Sequence, residues 1–222
     1  MQIEQPPNAA TWGRLPHSPA SDLLLAEFIH RSANDFAVAC AEINVASRLP
    51  SLSAMRERLE RVVLRLHALA SIQHMLQPRH VGVIDLGNAL CELCHHCAEA
   101  RFPEQGAFIR LQTCEGPVDA VRGVAVLMIV SELLTNAARH AFREPGGLVE
   151  VELTRADDVI YCRVSDNGSG LSSGPGKRGT GTAIIAELAR GADIVLTTPP
   201  TDSGSRFELR VPAADVAIAL PS

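Results

Sequence analysis

The sequence predicts an α+β fold, an N-terminal antiparallel helical hairpin followed by a two-layer α/β sandwich. Two stretches, 23–49 and 53–76, carry apolar side chains at helical spacing on either side of the break Arg48-Leu-Pro-Ser-Leu-Ser, which makes two long helices with a short connection. Strand signals appear only later, at 108–114, 148–154, 159–166, 193–198 and 206–211. They stand apart from helical segments at 86–101, 121–140 and 182–191, and helices segregated from antiparallel strands build a two-layer sandwich.

Residues 1–20 hold four prolines and no periodicity, as expected of a flexible leader. Ser21 or Asp22 can cap the first helix, since a short side-chain oxygen satisfies a free N–H of the first turn. Leu25, Ile29, Ala33, Phe36, Cys40 and Ile43 form its apolar stripe. Leu59, Val62, Val63, Leu66, Leu69, Ile72 and Leu76 form that of the second helix, which Pro78 closes. The expected organisation is a leader at 1–20, a hairpin at 21–79, a linker at 80–85 and a second domain at 86–217. One hairpin cannot bury its whole apolar stripe. Pairing two hairpins into a four-helix bundle solves this, so a homodimer is expected, with packing on the second domain as the competing solution.

A net charge of -5 and a pI near 5.9 argue against a non-specific nucleic-acid binder, which carries a basic excess. The longest apolar run, 124–130, is far shorter than the roughly 18–20 residues of a membrane span. No basic region followed by an apolar stretch opens the chain. A cytoplasmic protein without a membrane partner is expected, with its six cysteines as reduced thiols.

Three segments of the second domain carry chemistry. In Glu132-Leu-Leu-Thr-Asn136-Ala-Ala-Arg139-His140, the residues Glu132, Asn136 and His140 are spaced i, i+4, i+8 and share a helix face. A polar stripe against a sheet needs a ligand or partner, and an Asn carbonyl is a hard oxygen suited to Mg²⁺. The same stripe also fits an ordinary solvent face. Val164-Ser-Asp166-Asn-Gly168-Ser-Gly170 ends a strand in an acid that can accept from an exocyclic amine, followed by glycines that permit close backbone approach. It is also the pattern of a plain turn. In Gly179-Thr180-Gly181-Thr182, glycines open directly into a helix, whose free N–H groups and dipole suit a phosphate.

In this order and spacing, the three segments resemble the N, G1 and G2 boxes of the ATPase superfamily that unites DNA gyrase, the heat-shock chaperones and histidine kinases. The resemblance spans 86–212, and Ser203-Gly-Ser-Arg-Phe-Glu-Leu-Arg-Val-Pro is similar to the closing strand of the kinase branch. It implies ATP and Mg²⁺ as cofactors. Asn136 would hold the metal, Asp166 the adenine, and Gly179 and Gly181 the phosphates, while Glu132 would assist phosphoryl transfer. Arg139, His140, Gly168, Gly170, Thr180 and Thr182 would line the nucleotide site. Ser205 stands near the adenine-binding acid where the family often has Thr. Residues 171–178 would form a short lid, with Lys177 or Arg178 near the phosphates.

Upstream, Glu27-Phe-Ile-His30-Arg31-Ser-Ala-Asn34-Asp resembles the H-R-x-x-N phosphoacceptor box of one histidine-kinase subgroup, with Ala33 in place of the usual Lys and Ile29 in place of a second His. An imidazole nitrogen is a competent nucleophile when unprotonated. Arg31 and Asn34 would flank it, Asn34 one turn on. The implied function is a histidine kinase without its own sensory domain. It would phosphorylate His30 from Mg-ATP, pass the phosphoryl group to an aspartate of a response-regulator receiver domain, and take its input from a separate sensor protein. A histidine phosphotransfer protein with a kinase-like scaffold is the alternative, and an anti-sigma factor with a serine-kinase-like domain a third.

Cys91-Glu-Leu-Cys94-His95-His96-Cys97 contains the C-x-x-C-H haem-attachment pattern and resembles a zinc knuckle. Haem attachment requires export, and zinc requires four converging ligands. On a regular helix Cys91, Cys94 and His95 share a face while Cys97 points elsewhere. The remaining reading is that these cysteines are small core hydrophobes.

Overall fold

The computed structural model describes residues 19–77, 81–102, 106–142, 146–170 and 180–214, with side chains from residue 32 onward except at 180. Residues 1–18 of the expected leader lie outside the described residues.

Helices α1 (Pro19–Ala46) and α2 (Leu52–Met75) run antiparallel. Gln73 Nε2 donates to Ser32 Oγ at 3.1 Å, and Arg65 Nη1 donates to Glu42 Oε1 at 2.8 Å. α1 starts at Pro19, ahead of the caps expected at Ser21 or Asp22. Proline suits a first turn, where its missing N–H has no partner to lose. Ser51 caps α2 through the Ala54 N–H at 3.1 Å.

The inward face of α1 is not its apolar stripe. Ser32, Asp35, Ala39, Glu42 and Ala46 repeat every three or four residues and are buried or half-buried. Phe36 is 64% exposed and Ile43 43% exposed, and Ala33 and Cys40 are exposed with them. The stripe expected in the core lies one residue out of register with the face that packs. The reason is that the groups facing α1 are polar: Arg65 and Gln73 of α2, and Arg101 at the end of α3 (Leu86–Arg101). Arg101 Nη1 lies 3.5 Å from Asp35 Oδ1. α2 in turn buries Ala68, Leu69 and Ile72 in the core of the following domain.

β1 (Val83–Asp85), expected in the 80–85 linker, pairs antiparallel with β3 (Pro117–Asp119). Asp85 caps α3 through the Asn88 N–H at 2.8 Å and also accepts from the Gly116 N–H. Three residues are too short for periodicity to reveal, and only the distant partner makes them a strand.

The main sheet contains β2 (Ala107–Gln112), β4 (Gly147–Ala156), β5 (Val159–Asp166), β6 (Val195–Thr197) and β7 (Ser205–Pro212), in the order β2-β4-β5-β7-β6. It is mixed rather than antiparallel, because β2 runs parallel to β4. Parallel neighbours need a crossover connection, and α4 (Ala120–Asn136) lies between them in the chain. α5 (Thr180–Gly191) completes the helical layer.

Alternation sorts the sheet's two faces. Val149, Val151 and Leu153, Ile160, Cys162 and Val164, and Phe207, Leu209 and Val211 are buried in one core with α3, α4 and α5. The other face carries the ion pairs Arg110–Glu150, Arg163–Glu152 and Arg163–Glu208. Among the described residues, one stretch, Ala120–Ala141, is long and apolar enough to cross a membrane, and 78% of its apolar window is buried inside the fold. It is the core helix of the domain.

Candidate functional site

Asp166 ends β5 on the same side as Ile160, Cys162 and Val164, so strand alternation turns it toward the helices. Ser205 stands opposite it in the β5–β7 register, and the Ser205 hydroxyl donates to Asp166 Oδ2. The Gly168 N–H donates to Oδ1 at 2.9 Å. The carboxylate is held at both oxygens, and each keeps capacity for another donor.

The loop after β5 is clamped from two directions. Asn167 Oδ1 accepts from the Leu148 N–H at 2.8 Å, and the Ser169 N–H donates to the Ala141 carbonyl at 2.9 Å. A Cβ at Gly168 would overlap that carbonyl, so the approach requires glycine. Gly204, which sequence reasoning did not single out, is equally constrained. Its φ is +67, and a Cβ there would collide with the Asp166 backbone. The run Asp202-Ser-Gly-Ser is a recognisable turn signal, but only the fold shows that the turn seats Ser205 on Asp166.

Glu132 and Asn136 lie one turn apart on α4, Glu132 4% exposed and Asn136 half-buried. The first turn of α5 comes up against them. A Cβ on Gly181 would stand 2.5 Å from Glu132 Oε1 and 3.3 Å from Asn136 Nδ2. Two residues of α4 and one of α5, distant in the chain, are thereby joined at a helix N-terminus, whose free N–H groups and positive dipole end favour an anion. A glycine without a side chain at a helix N-terminus, an Asn amide beside it and a fixed Asp166 carboxylate are the kinds of group that a magnesium-bound nucleotide would require.

The face expected to join Glu132, Asn136 and His140 does not run on. The α-helix ends at Asn136, and Ala137–Ala141 wind as a π turn, a wider winding that changes the rotation per residue. His140 and Arg139 are exposed, and the His140 carbonyl faces the Ser169 hydroxyl at 3.4 Å. Thr182 is exposed at the start of α5. Gly170, φ +75, lies against Gly204. The side chains of His30 and Arg31 and of Thr180 lie outside the described residues, as do Lys177, Arg178 and Gly179 altogether. Asn34 is half-buried on α1. A cavity of about 340 Å³ opens beside Asp166 and Ser205, which line it together with Glu150, Ser165, Asn167 and Arg206. It is separate from the Glu132–Asn136–Gly181 cluster.

The cysteine cluster divides. Cys94 and Cys97 are buried and Cys91 is exposed. Burial pushes the Cys94 thiol far above its ordinary range, with Cys97 and Cys162 adding to the effect. Burial, partly opposed by Arg101, pushes Cys97 up to about 11.

Residues 122–215 match the family model described as Histidine kinase-, DNA gyrase B-, and HSP90-like ATPase. That segment is thus similar to the ATPase domains that this family model describes. Over 205 residues the chain is 25% identical to the sensor histidine kinase PdtaS of Mycolicibacterium smegmatis, covering 81% of this chain and 40% of that protein. It is 24% identical over 200 residues to the sensor histidine kinase PdtaS of Mycobacterium tuberculosis, with the same coverage. The chain thus spans 40% of the length of the curated relatives it matches. The fold is shared with the histidine kinase domain of the Erythrobacter litoralis EL346 blue-light activated histidine kinase. That likeness has a TM-score of 0.56 at 18% identity and covers 82% of this chain and 94% of that one. It is shared also with a bacterial phosphotransferase, at TM-score 0.63 and 13% identity, covering 88% of this chain and 98% of that one.

Proposed function

We propose that this protein is an ATP-dependent histidine kinase that phosphorylates His30 and passes the phosphoryl group to an aspartate of a response-regulator receiver domain. The observation that carries the reading is the convergence of Glu132, Asn136 and Gly181 at the N-terminus of α5. The second support is the carboxylate of Asp166 fixed between Gly168 and Ser205.

In this reading Asp166 accepts from the exocyclic amine of adenine, with Ser205 holding it in place. Gly168 and Gly170 let the backbone approach the base. The N–H groups around Gly179, Thr180, Gly181 and Thr182 receive the phosphates, with Lys177, Arg139 and His140 at the rim. Asn136 supplies an oxygen to Mg²⁺, which when bound neutralises charge on the transferring phosphate. A ring nitrogen of His30 forms the new P–N bond as the bond to the bridging oxygen breaks and ADP leaves. Glu132 assists that transfer, and Arg31 and Asn34 orient the imidazole and its product. Catalysis then rests on positioning and charge neutralisation.

The exposed stripe Ala33, Phe36, Cys40 and Ile43 supports a homodimer through the hairpin. It lies beside the face already occupied, so a second α1–α2 pair has an apolar surface to cover.

The test is incubation of purified protein with Mg-ATP labelled at the γ position. The expected result is acid-labile, base-stable label that disappears in His30→Ala and in Asn136→Ala. Tight ATP binding without label favours a phosphotransfer protein with a kinase-like scaffold, and label retained in Asn136→Ala overturns the site assignment.

A further inference from the structure

The cysteine–histidine run on α3 has a use that its cysteines do not reveal. Cys94 and Cys97 are sealed in the core, so the thiolate site suggested by the C-x-x-C-H pattern cannot assemble without unfolding α3 from the sheet. The two histidines between them face the other way, together with Glu99. His95 Nε2 lies 3.6 Å from Glu99 Oε1, and His96 Nδ1 lies 3.8 Å from Glu99 Oε2. One ligand atom from each of the three residues falls within 4.8 Å of the other two. The imidazole rings are tilted by 52° with centroids 5.3 Å apart.

His96 Nδ1 is the second observation. It is inaccessible to solvent and has no hydrogen-bond partner, an arrangement that is costly and asks for an explanation. The gaps to Glu99 are too long for hydrogen bonds. They are close to the separation of about 3.4 Å between two donors that each stand roughly 2.1 Å from one tetrahedral zinc ion. Binding one ion would draw the three ligand atoms, now within 4.8 Å of one another, together by side-chain rotation.

We propose that His95, His96 and Glu99 form a surface site for a divalent transition ion of the zinc type. Two imidazoles and one carboxylate are the donor set that borderline ions prefer over Mg²⁺ or Ca²⁺. All three ligands come from just over one turn of one helix, so the site exists whenever α3 is folded. The fourth position faces solvent and takes water or a group from a partner. The site is independent of the nucleotide-binding reading, since none of its residues belongs to that cluster.

The experiment titrates untagged, reduced, full-length protein with Co²⁺ and with Zn²⁺ in the absence of nucleotide. Visible absorption follows cobalt, and calorimetry follows zinc. One ion bound per chain is expected, with a nitrogen and oxygen ligand field and no thiolate-to-cobalt charge-transfer band. His95→Ala and His96→Ala should each weaken binding at least on the order of tenfold, the loss that even supporting partners of metal ligands produce. Cys91→Ser should leave it unchanged. Both histidines lie at the surface of α3, so circular dichroism identical to the parent confirms that the variants fold. Substoichiometric Cu²⁺ should broaden the imidazole resonances of His95 and His96 before those of other histidines. A thiolate band that vanishes in Cys91→Ser overturns the proposal, as does binding that survives the His95→Ala/His96→Ala double variant.

Discussion

Gly181 approaches Glu132 so closely that a Cβ at position 181 would stand 2.5 Å from Glu132 Oε1. Alanine at 181 therefore forces either the buried carboxylate or the first turn of α5 to move. Both are parts of the proposed phosphate site. Gly181→Ala should weaken ATP binding by at least about tenfold, roughly 1.4 kcal/mol. Calorimetric titration with a non-hydrolysable ATP analogue measures this. An affinity equal to the parent's would show that the contact is peripheral to the nucleotide.

Asp166 and Ser205 are paired by strand register and by a hydrogen bond, so their substitutions should rank. Asp166→Asn removes the charged acceptor for the base and should cost about 2 kcal/mol of ATP affinity. Ser205→Ala removes only a holding hydroxyl and should cost about 1 kcal/mol. The ranking is checked by competition between ATP and GTP. Loss of adenine preference in Asp166→Asn is expected, and equal effects of the two variants would contradict the assignment.

Asp35 and Arg101 join α1 to the end of α3, each side chain 13% exposed. Removing one partner leaves the other charge buried, so Asp35→Ala should destabilise the protein by about 3 kcal/mol. The double variant Asp35→Leu/Arg101→Met replaces the pair with apolar volume and should recover most of that loss. Urea unfolding of Asp35→Leu, Arg101→Met and the double variant gives the coupling directly.

Asp119 caps α4 by accepting from the Arg122 N–H at 3.0 Å and pairs with its guanidinium at 2.7 Å. Burial alone would raise this carboxyl. The backbone and side-chain bonds from Arg122 outweigh burial and hold it below its usual range. The native pKa is depressed, so the associated stability is present above the unfolded value of about 3.9 and is lost as pH falls through the lower native value. Solvent screening keeps the charge contribution small. Asp119→Ala should lose about 1 kcal/mol at neutral pH through the missing cap. Asp119→Asn should keep most of the cap while flattening the acid limb of the melting temperature below about pH 4. Thermal melts across that range decide between the two.

Much of the architecture was legible because its signals are local. α3 and β5 were placed at 86–101 and 159–166 from signals within one segment, and the structure gives them the same bounds. The segments proposed to bind nucleotide stand out as a set in the sequence, since Glu132, Asn136, Asp166, Gly168 and Gly181 follow one another in an order and chemistry that suit one ligand. Their convergence was only implied, because a sequence pattern does not show that Gly181 seats against Glu132. Gly204 escaped notice for the same reason: a glycine in a turn is ordinary until the Asp166 backbone is found beside it.

The sequence by itself determined where the long helices and the longer strands lie and which residues are candidates for a nucleotide site. These properties follow from backbone propensity and side-chain period, which act over a few residues. Tertiary structure alone decided the rest. It paired Val83–Asp85 with Pro117–Asp119 and ran β2 parallel to β4. It turned the polar face of α1, rather than the Phe36–Ile43 stripe, toward Arg65 and Arg101. It also split the Cys91–Cys97 run into buried thiols and outward histidines. Each of these depends on what a distant segment presents across a contact, and no local period records that.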